Sequence, residues 1–288
     1  MKNKWLLFKK SINDLNDPKL KDSEIKKKWS TIQKNYKNFK PNHLIGFLKV
    51  LSKNKITTKS CVLDHGCGNG LTLFFLALNG YENIWGIDIN SSKSFDTRMR
   101  SCNKVFKVIL KSKKNRIQVY NGTRIPFKSE FFNFIFSQQV IEHVKENLLN
   151  NYLSEERRTL SKNGVVLHQI PHRLGPYEGH TNKWIIHWFP KNIHHYLLKN
   201  EEQKLLVVKK ALFLKWPWQL KFYFKKYFKH VDNVSFLRLK YNISSGEYSK
   251  KEKIIRKVLV FIFNVPVLGK IFLKSLSVFF QLEILAKK

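Results

Sequence analysis

A glycine-rich turn at residues 66–70 constrains the fold of this chain more than any other feature. The apolar run 60–64 has the length of a buried strand, and residues 71–78 are predicted to form a helix. Between them stand Gly66, Gly68 and Gly70, where a β-carbon would block both a tight turn and the close approach of a ligand. The pattern predicts an α/β fold with a ligand at the start of that helix.

The neighbours of the turn exclude two common kinds of nucleotide site. A dinucleotide fingerprint requires glycine at the position of Leu71, and a P-loop requires Gly-Lys-Ser/Thr, which is absent. Asp88 ends the second predicted strand, about 20 residues after the turn, where a carboxylate accepts both ribose hydroxyls of an adenosine group. The alternative is an aspartate that only caps the next helix.

Strands and helices alternate along the rest of the chain. Further strands are predicted at 83–88, 116–120, 132–136, 164–170 and near 234–239, with helices from 92 and over 147–160. This alternation predicts a parallel, doubly wound sheet. Three segments follow from the composition: a basic helical segment at 1–42, a main domain at 43–250 with an inserted loop at 171–200, and an apolar and basic C-terminal helix at 251–288.

Several motifs in a fixed order carry a family resemblance. They are Val-Leu-Asp followed by the glycine turn at 62–70, Asn-Gly-Thr-Arg-Ile-Pro-Phe at 121–127, Phe-Asn-Phe-Ile-Phe-Ser at 132–137, Val-Ile-Glu-His-Val at 140–144 and Leu-Ser-Lys-Asn-Gly at 160–164. Over residues 60–172 the chain resembles class I S-adenosylmethionine-dependent methyltransferases of type 11. The resemblance implies a Rossmann-like sheet of seven strands and S-adenosylmethionine as the cofactor.

The resemblance also implies which residues hold the cofactor. They are Asp64, Gly66, Cys67, Gly68, Gly70, Asp88, Ile89, Asn121, Gly122, Ser137 and Gln138. The chain departs from the family pattern at Asn121 and Asn133, which replace aspartates. The family aspartate at the first position contacts the adenine amino group, and Asn121 keeps a side-chain oxygen that can accept the same hydrogen bond.

The methyl acceptor is expected beside a histidine-rich segment. Six of the ten histidines lie between 168 and 195, after the fifth strand of the main domain. A general base near neutral pH would deprotonate an acceptor hydroxyl, and histidine is suited to this. We predict His172, Glu178 and His180 as acceptor-site residues; the alternative is that they only order the loop.

No metal is predicted, because no His-x-x-x-His pair lies in a predicted helix. The alternative involves Glu142 and His143, since some family members bind a divalent metal through Glu-x-x-Glu-His at this point. Gln139 replaces the first glutamate of that motif.

The net charge of +34 suggests an anionic partner, but AT-rich coding would produce the same excess of lysine. The apolar run after residue 254 is too short to span a membrane. Residues 254–285 have the pattern of an amphipathic helix with basic flanks, which would either lie on an anionic membrane surface or pack on the core. Three cysteines without a disulfide pattern predict that the protein is cytoplasmic. The amphipathic helix would associate it with the inner face of the membrane.

These features predict an S-adenosylmethionine-dependent enzyme that methylates an oxygen of a small-molecule, glycan or lipid-linked acceptor. One alternative is a nucleic-acid methyltransferase, although the sequence lacks an Asn-Pro-Pro-Tyr-like motif for base amines. Another is an inactive scaffold that binds the cofactor.

Overall fold

The computed structural model describes residues 4–89, 93–245, 257–258, 260–262 and 264–288. Within these residues, seven strands form one mixed sheet and two short strands form a separate hairpin. The strands are β1 (Val62–His65), β2 (Ile84–Ile89), β3 (Ile117–Tyr120), β4 (Phe132–Gln138), β5 (Leu160–Ile170), β6 (Tyr177–Glu178), β7 (Lys183–Trp184), β8 (His230–Asn233) and β9 (Leu282–Lys287).

The strands of the sheet lie in the order β3-β2-β1-β4-β5-β9-β8. β1 to β5 pair in parallel, whereas β9 runs antiparallel to both of its neighbours. The predicted Rossmann-like sheet of seven strands is therefore confirmed. The carboxyl ends of the parallel strands share one edge, which is where open α/β sheets bind their ligands.

Helices cover both faces of this sheet. They are α1 (Lys4–Leu15), α2 (Asp22–Asn35), α3 (Asn42–Lys53), α4 (Leu71–Leu78), α5 (Lys93–Ile109), α6 (Glu146–Thr159), α7 (Lys191–Leu197), α8 (Glu202–Lys210), α9 (Pro217–Tyr227), α10 (Ser235–Ser245) and α11 (Leu268–Ser277). Successive side chains of a strand point to opposite faces. Phe134 and Phe136 of β4 accordingly pack in the core beneath α1 to α5, and Ile135 packs in the core beneath α6 and α9.

The end of the predicted C-terminal helix is wrong. Residues 282–287 form β9, which lies inside the sheet between β5 and β8. Leu282, Ile284 and Ala286 are buried on one face, and this period of two is that of a strand. The preceding α11 is helical as expected, while residues 251–256 lie outside the described part of the chain.

The strand predicted near 234–239 is also wrong, because α10 begins there and the strand β8 comes just before it. The side-chain oxygen of Asn233 accepts hydrogen bonds from the backbone N–H of Ser235 at 3.0 Å and from its hydroxyl at 2.6 Å. Such a bond at a helix start satisfies a backbone donor that the helix itself leaves free.

None of the helices in the described ranges has the length and hydrophobicity that a membrane crossing requires.

Candidate functional site

The glycine turn lies between β1 and α4, at the sheet edge formed by the strand ends. Gly66 has a φ of +88°, and a β-carbon there would stand 2.3 Å from Cγ2 of Val140. Gly68 also has a left-handed φ, +51°, but a β-carbon on it would meet nothing within 4 Å. The turn thus packs tightly against the segment after β4 on one side and opens to a cleft on the other.

Asp88 is tied to this turn by its carboxylate. Oδ2 accepts the backbone N–H of Gly68 at 2.6 Å, and Oδ1 accepts the N–H of Ile89 at 2.7 Å. Burial raises the pKa of Asp88, and the two backbone hydrogen bonds oppose that shift. Each oxygen keeps a further lone pair, so the carboxylate can still accept the hydroxyls of a ribose.

A cavity of about 420 Å³ lies over the turn. Of the predicted cofactor residues it is lined by Asp64, Gly66, Cys67, Gly68 and Gln138. Asp64 is 4% exposed, and burial together with the nearby Asp88 raises its pKa well above the usual value. A cavity of this kind beside a turn with three glycines fits the elongated, partly charged S-adenosylmethionine.

The other predicted cofactor residues, Asp88 among them, do not line this cavity. Gly70 begins α4, and Gly122 packs beside Ile89, since a β-carbon on it would lie 3.6 Å from Cγ2 of Ile89. Ser137 is buried and its hydroxyl accepts a hydrogen bond from the Tyr152 hydroxyl at 3.0 Å. Its side chain therefore supports β4 from within the protein.

The structure contradicts the expectation that Asn121 offers its oxygen to adenine. Oδ1 of Asn121 already accepts hydrogen bonds from the backbone N–H and hydroxyl of Thr123, at 3.0 and 2.6 Å, and from the N–H of Arg124 at 3.3 Å. Short polar side chains commonly bond to the backbone two residues on in this way. The amide NH₂ is what remains for a ligand, and it is a donor.

Sequence reasoning missed the residues that close the cavity from the N-terminal and C-terminal parts of the chain. Trp5, Lys9, His43 and Arg238 line it together with the predicted residues. Burial, and then the charges of Arg238 and Lys9, lower the pKa of His43 to about 4. Arg238 donates to Oε1 of Gln281 at 2.6 Å and lies 3.7 Å from the carboxylate of Glu283. Lys9 is the second cation beside the cleft, and it is suited to the carboxylate of the methionine part of the cofactor. The apolar spacing of α1 could have indicated that this helix packs on the domain.

A buried polar network lies under the turn and was also missed. Glu156 of α6 accepts hydrogen bonds from Nδ1 of His65 at 2.7 Å and from Nε2 of His168 at 2.8 Å. The other ring nitrogen of His65 lies 2.7 Å from the Tyr120 hydroxyl. Burial alone would raise the pKa of Glu156, but His168 and His65 outweigh it and lower the pKa to about 2. This network joins β1, β3, β5 and α6 directly behind the cofactor cleft.

His172 has no free ring nitrogen. Its Nε2 donates to the carbonyl of Phe280 at 2.5 Å, and its Nδ1 accepts the backbone N–H of Leu174 at 3.2 Å. The side chain is buried, and burial lowers its pKa. A catalytic role was predicted for His172. Because both of its ring nitrogens are hydrogen-bonded, neither can accept a proton from an acceptor hydroxyl. The two bonds anchor the loop instead.

Glu178 and His180 form a hydrogen-bonded pair in the same loop. Nδ1 of His180 donates to Oε1 of Glu178 at 2.7 Å, and the backbone N–H of Thr181 donates to Oε2 at 2.7 Å. The bond to Glu178 raises the pKa of His180. Burial would raise the pKa of Glu178, but the bonds from His180 and Thr181 outweigh it and lower the pKa to about 2. The pair leaves Nε2 of His180 as an acceptor.

The structure brings His180 to Glu142 and His143, the residues of the metal alternative. One ligand atom from each of the three lies within 4.8 Å of the other two. His143 donates through Nδ1 to the carbonyl of Ala211 at 2.6 Å, which leaves its Nε2 free. Neither oxygen of Glu142 has a hydrogen-bond partner among the described residues, and burial raises its pKa to about 7. These atoms could hold a divalent cation.

A family model described as a methyltransferase domain matches residues 36–210. No curated protein matched the sequence.

Solved structures with a similar fold were also found. A Haemonchus contortus phosphoethanolamine N-methyltransferase in complex with S-adenosylmethionine is 19% identical, with a TM-score of 0.45 over 83% of this chain and 51% of that one. A Streptomyces coelicolor geranyl diphosphate C-methyltransferase is 14% identical, with a TM-score of 0.47 over 94% and 83%. A Pyrococcus horikoshii protein is 24% identical, with a TM-score of 0.36 over 44% and 56%. The chain spans about half the length of the first of these structures.

Proposed function

Because the chain belongs to the methyltransferase-domain family, we propose that it transfers a methyl group from S-adenosylmethionine to a hydroxyl oxygen of its acceptor. The observation that carries the proposal is the Glu178–His180 pair, which stands beside Glu142 and His143 with a free histidine nitrogen. Small molecules, glycans and lipid-linked intermediates all offer such a hydroxyl.

The proposed chemistry is an in-line displacement assisted by a base. S-adenosylmethionine supplies an electrophilic methyl group on a positively charged sulfur. Nε2 of His180 takes the proton of the acceptor hydroxyl while the oxygen forms its bond to the methyl carbon, and the bond from carbon to sulfur breaks. Glu178 holds the other nitrogen protonated and stabilises the imidazolium that forms, as the acidic member of a catalytic triad does.

Two variants test the base. His180→Ala is expected to reduce transfer of a labelled methyl group into cell extracts by about 100-fold or more, while His230→Ala, on the exposed strand β8, is expected to leave it unchanged. Glu178→Gln removes a negative charge that stabilises the protonated ring, so the pKa of His180 measured by NMR titration is expected to fall. The rising limb of the pH–rate profile should then move to lower pH.

A metal ion is the second candidate for the same cluster, and the unpartnered oxygens of Glu142 favour it. The metal content of the purified protein distinguishes the two. A bound divalent cation that Glu142→Gln removes, with activity lost on chelation, would mean that His180 is a ligand and would overturn its role as the base. A pKa of His180 unaffected by Glu178→Gln would also contradict the role of His180 as the base.

We also propose that the enzyme works at an anionic membrane surface on the cytoplasmic side. Large apolar side chains are exposed in two neighbouring parts of the chain: Tyr177, Trp184, Trp188 and Tyr196 in the loop region, and Phe261, Val267, Leu268 and Ile271 near the C-terminus. A hydrogen bond between His172, just before the first group, and Phe280, just after the second, joins the two segments that carry them. Exposed aromatics on a strongly basic protein are suited to an interface with anionic lipid, and they would admit a lipid-linked acceptor.

Vesicle binding tests this surface. We expect the protein to sediment with vesicles that contain phosphatidylserine and much less with neutral phosphatidylcholine vesicles, because lysines add electrostatic attraction. Leu268→Asp is expected to weaken the binding by about tenfold, since it places a charge in the apolar contact. Phe222→Asp, on α9 and 70% exposed, is the matched control and should bind like the wild type. Equal loss in both variants, or binding to neither kind of vesicle, would contradict the membrane surface.

A further inference from the structure

A second cavity, of about 300 Å³, is lined in part by the inserted loop at 171–200. Its basic side chains come from four separate segments: Arg173 after β5, His187 in a 3-10 turn, His194 in α7 and Lys215 before α9. The cofactor cleft and the proposed base do not use these side chains.

Three nitrogens in this lining are buried without a partner. His187 and His194 are 7% and 3% exposed, and each donates through Nε2 to a backbone carbonyl, of Gly175 at 2.6 Å and of Phe189 at 3.0 Å. Their Nδ1 atoms have no hydrogen-bond partner among the described residues, and neither does Nε of Arg173. Buried polar atoms of a native protein are nearly always paired, so three in one cavity indicate a ligand.

The cavity also holds charge suited to an anion. The guanidinium of Arg173 stands 5.3 Å from the ring centre of Trp216. Lys215 is 8% exposed, and its ammonium donates to the carbonyls of Val144 at 3.3 Å and Phe213 at 3.2 Å, which leaves one of its three hydrogens. The carboxylates that face Lys215 are those of Glu142 and Glu146.

Glu146 also lines the cavity, and its Oε1 accepts the Tyr223 hydroxyl at 2.5 Å. One hydrogen bond connects this cavity to the proposed acceptor site: the N–H of Phe213 donates to the carbonyl of Glu142 at 2.6 Å. Within the lining, the N–H of Arg173 donates to the carbonyl of Lys215 at 2.9 Å. A molecule in the cavity would therefore lie next to the Glu142–His143–His180 cluster.

We propose that this cavity binds a phosphoryl group of the methyl acceptor, an assignment that rests on the proposed function. Nitrogens from four segments surround one space, which suits a tetrahedral group with several terminal oxygens better than the two coplanar oxygens of a carboxylate. Arg173 and the remaining hydrogen of Lys215 would donate to the phosphate oxygens. A phosphoryl group that keeps a proton would donate it to an unpaired Nδ1 of His187 or His194. The apolar side chains of Val208, Leu212 and Leu214 would contact the rest of the acceptor.

Inorganic phosphate tests the cavity directly, by titration calorimetry on the full-length protein. Arg173→Gln is expected to weaken phosphate binding by about tenfold or more, because it removes the principal charge. His194→Asn is a second variant, with a smaller expected loss. Lys225→Gln, in an exposed basic patch on α9, is the matched control and should bind phosphate like the wild type.

Each outcome decides the assignment. Selective loss in Arg173→Gln and His194→Asn, with unchanged affinity for S-adenosylhomocysteine, supports it. Absence of phosphate binding by the wild type overturns it, and so does an equal loss in Lys225→Gln, which would indicate unspecific attraction. Acetate that binds as well as phosphate overturns the phosphoryl class. Failure of the proposed function would appear separately, as lost methyl transfer or cofactor binding in a protein that still binds phosphate.

Discussion

Replacing Asp88 with alanine is expected to lower the affinity for S-adenosylmethionine by about 100-fold or more, which is about 3 kcal/mol. The carboxylate is the acceptor that the ribose hydroxyls would meet, and hydrogen bonds to a charged group are the stronger kind. The same carboxylate also holds the backbone N–H groups of Gly68 and Ile89, so its loss loosens the turn itself.

Titration calorimetry with S-adenosylmethionine and S-adenosylhomocysteine measures this effect. Asp232→Ala on the edge strand β8 is a control of the same chemistry, and it should bind both ligands like the wild type. Unchanged melting temperatures of the two variants would show that the loss belongs to the site. If Asp88→Ala binds normally, or if the wild type does not bind at all, the cofactor site is wrong.

Replacing Glu156 with alanine is expected to destabilise the protein by about 4 kcal/mol, because it leaves two buried imidazole nitrogens without their acceptor and opens a void in the core. The side chains of Glu156 and His168 are 0% exposed, and that of His65 is 1% exposed. Arg157→Ala, one position further along α6 and exposed, is the control; its cost should be within about 0.5 kcal/mol. Urea denaturation measures both.

The network also predicts a dependence of stability on pH. The pKa of Glu156 is lowered from 4.5 to about 2, so its ionised form stabilises the native state above pH 4.5 and that contribution is lost as the pH falls toward 2. The wild type should lose stability in this window, and Glu156→Ala should lose less. A variant as stable as the wild type at neutral pH would refute the account of the network.

The family, the class of enzyme, the cofactor and the sheet were all predictable, and the match over residues 36–210 and the topology confirm them. Their signals are local. Gly66 and Gly68 carry left-handed φ angles that the residue type itself permits, and Phe134, Ile135 and Phe136 of β4 are successive apolar residues because both faces of the strand are buried there.

The errors have a common physical origin. The sequence pattern of residues 282–287 fits either a helix or a strand. The segment forms β9 because its backbone pairs with both β5 and β8. Its pairing joins Ile170 to Leu282, residues far apart in the chain. The side-chain oxygen of Asn121 likewise accepts the backbone N–H groups of Thr123 and Arg124 in the folded turn. A short polar side chain can bond to a nearby backbone as readily as to a ligand.

By itself the sequence determined that a strand, a glycine turn and a helix would meet at one edge of the sheet with Asp88 against the turn, because the residues concerned are close in the chain and each has a conformation to match. Only the tertiary structure decided which partners each histidine nitrogen has. It ties His172 to Phe280, and it places His180 beside Glu142 with one nitrogen held by Glu178 and the other free. A histidine's role depends on the partners of both its nitrogens, and those partners come from distant parts of the chain.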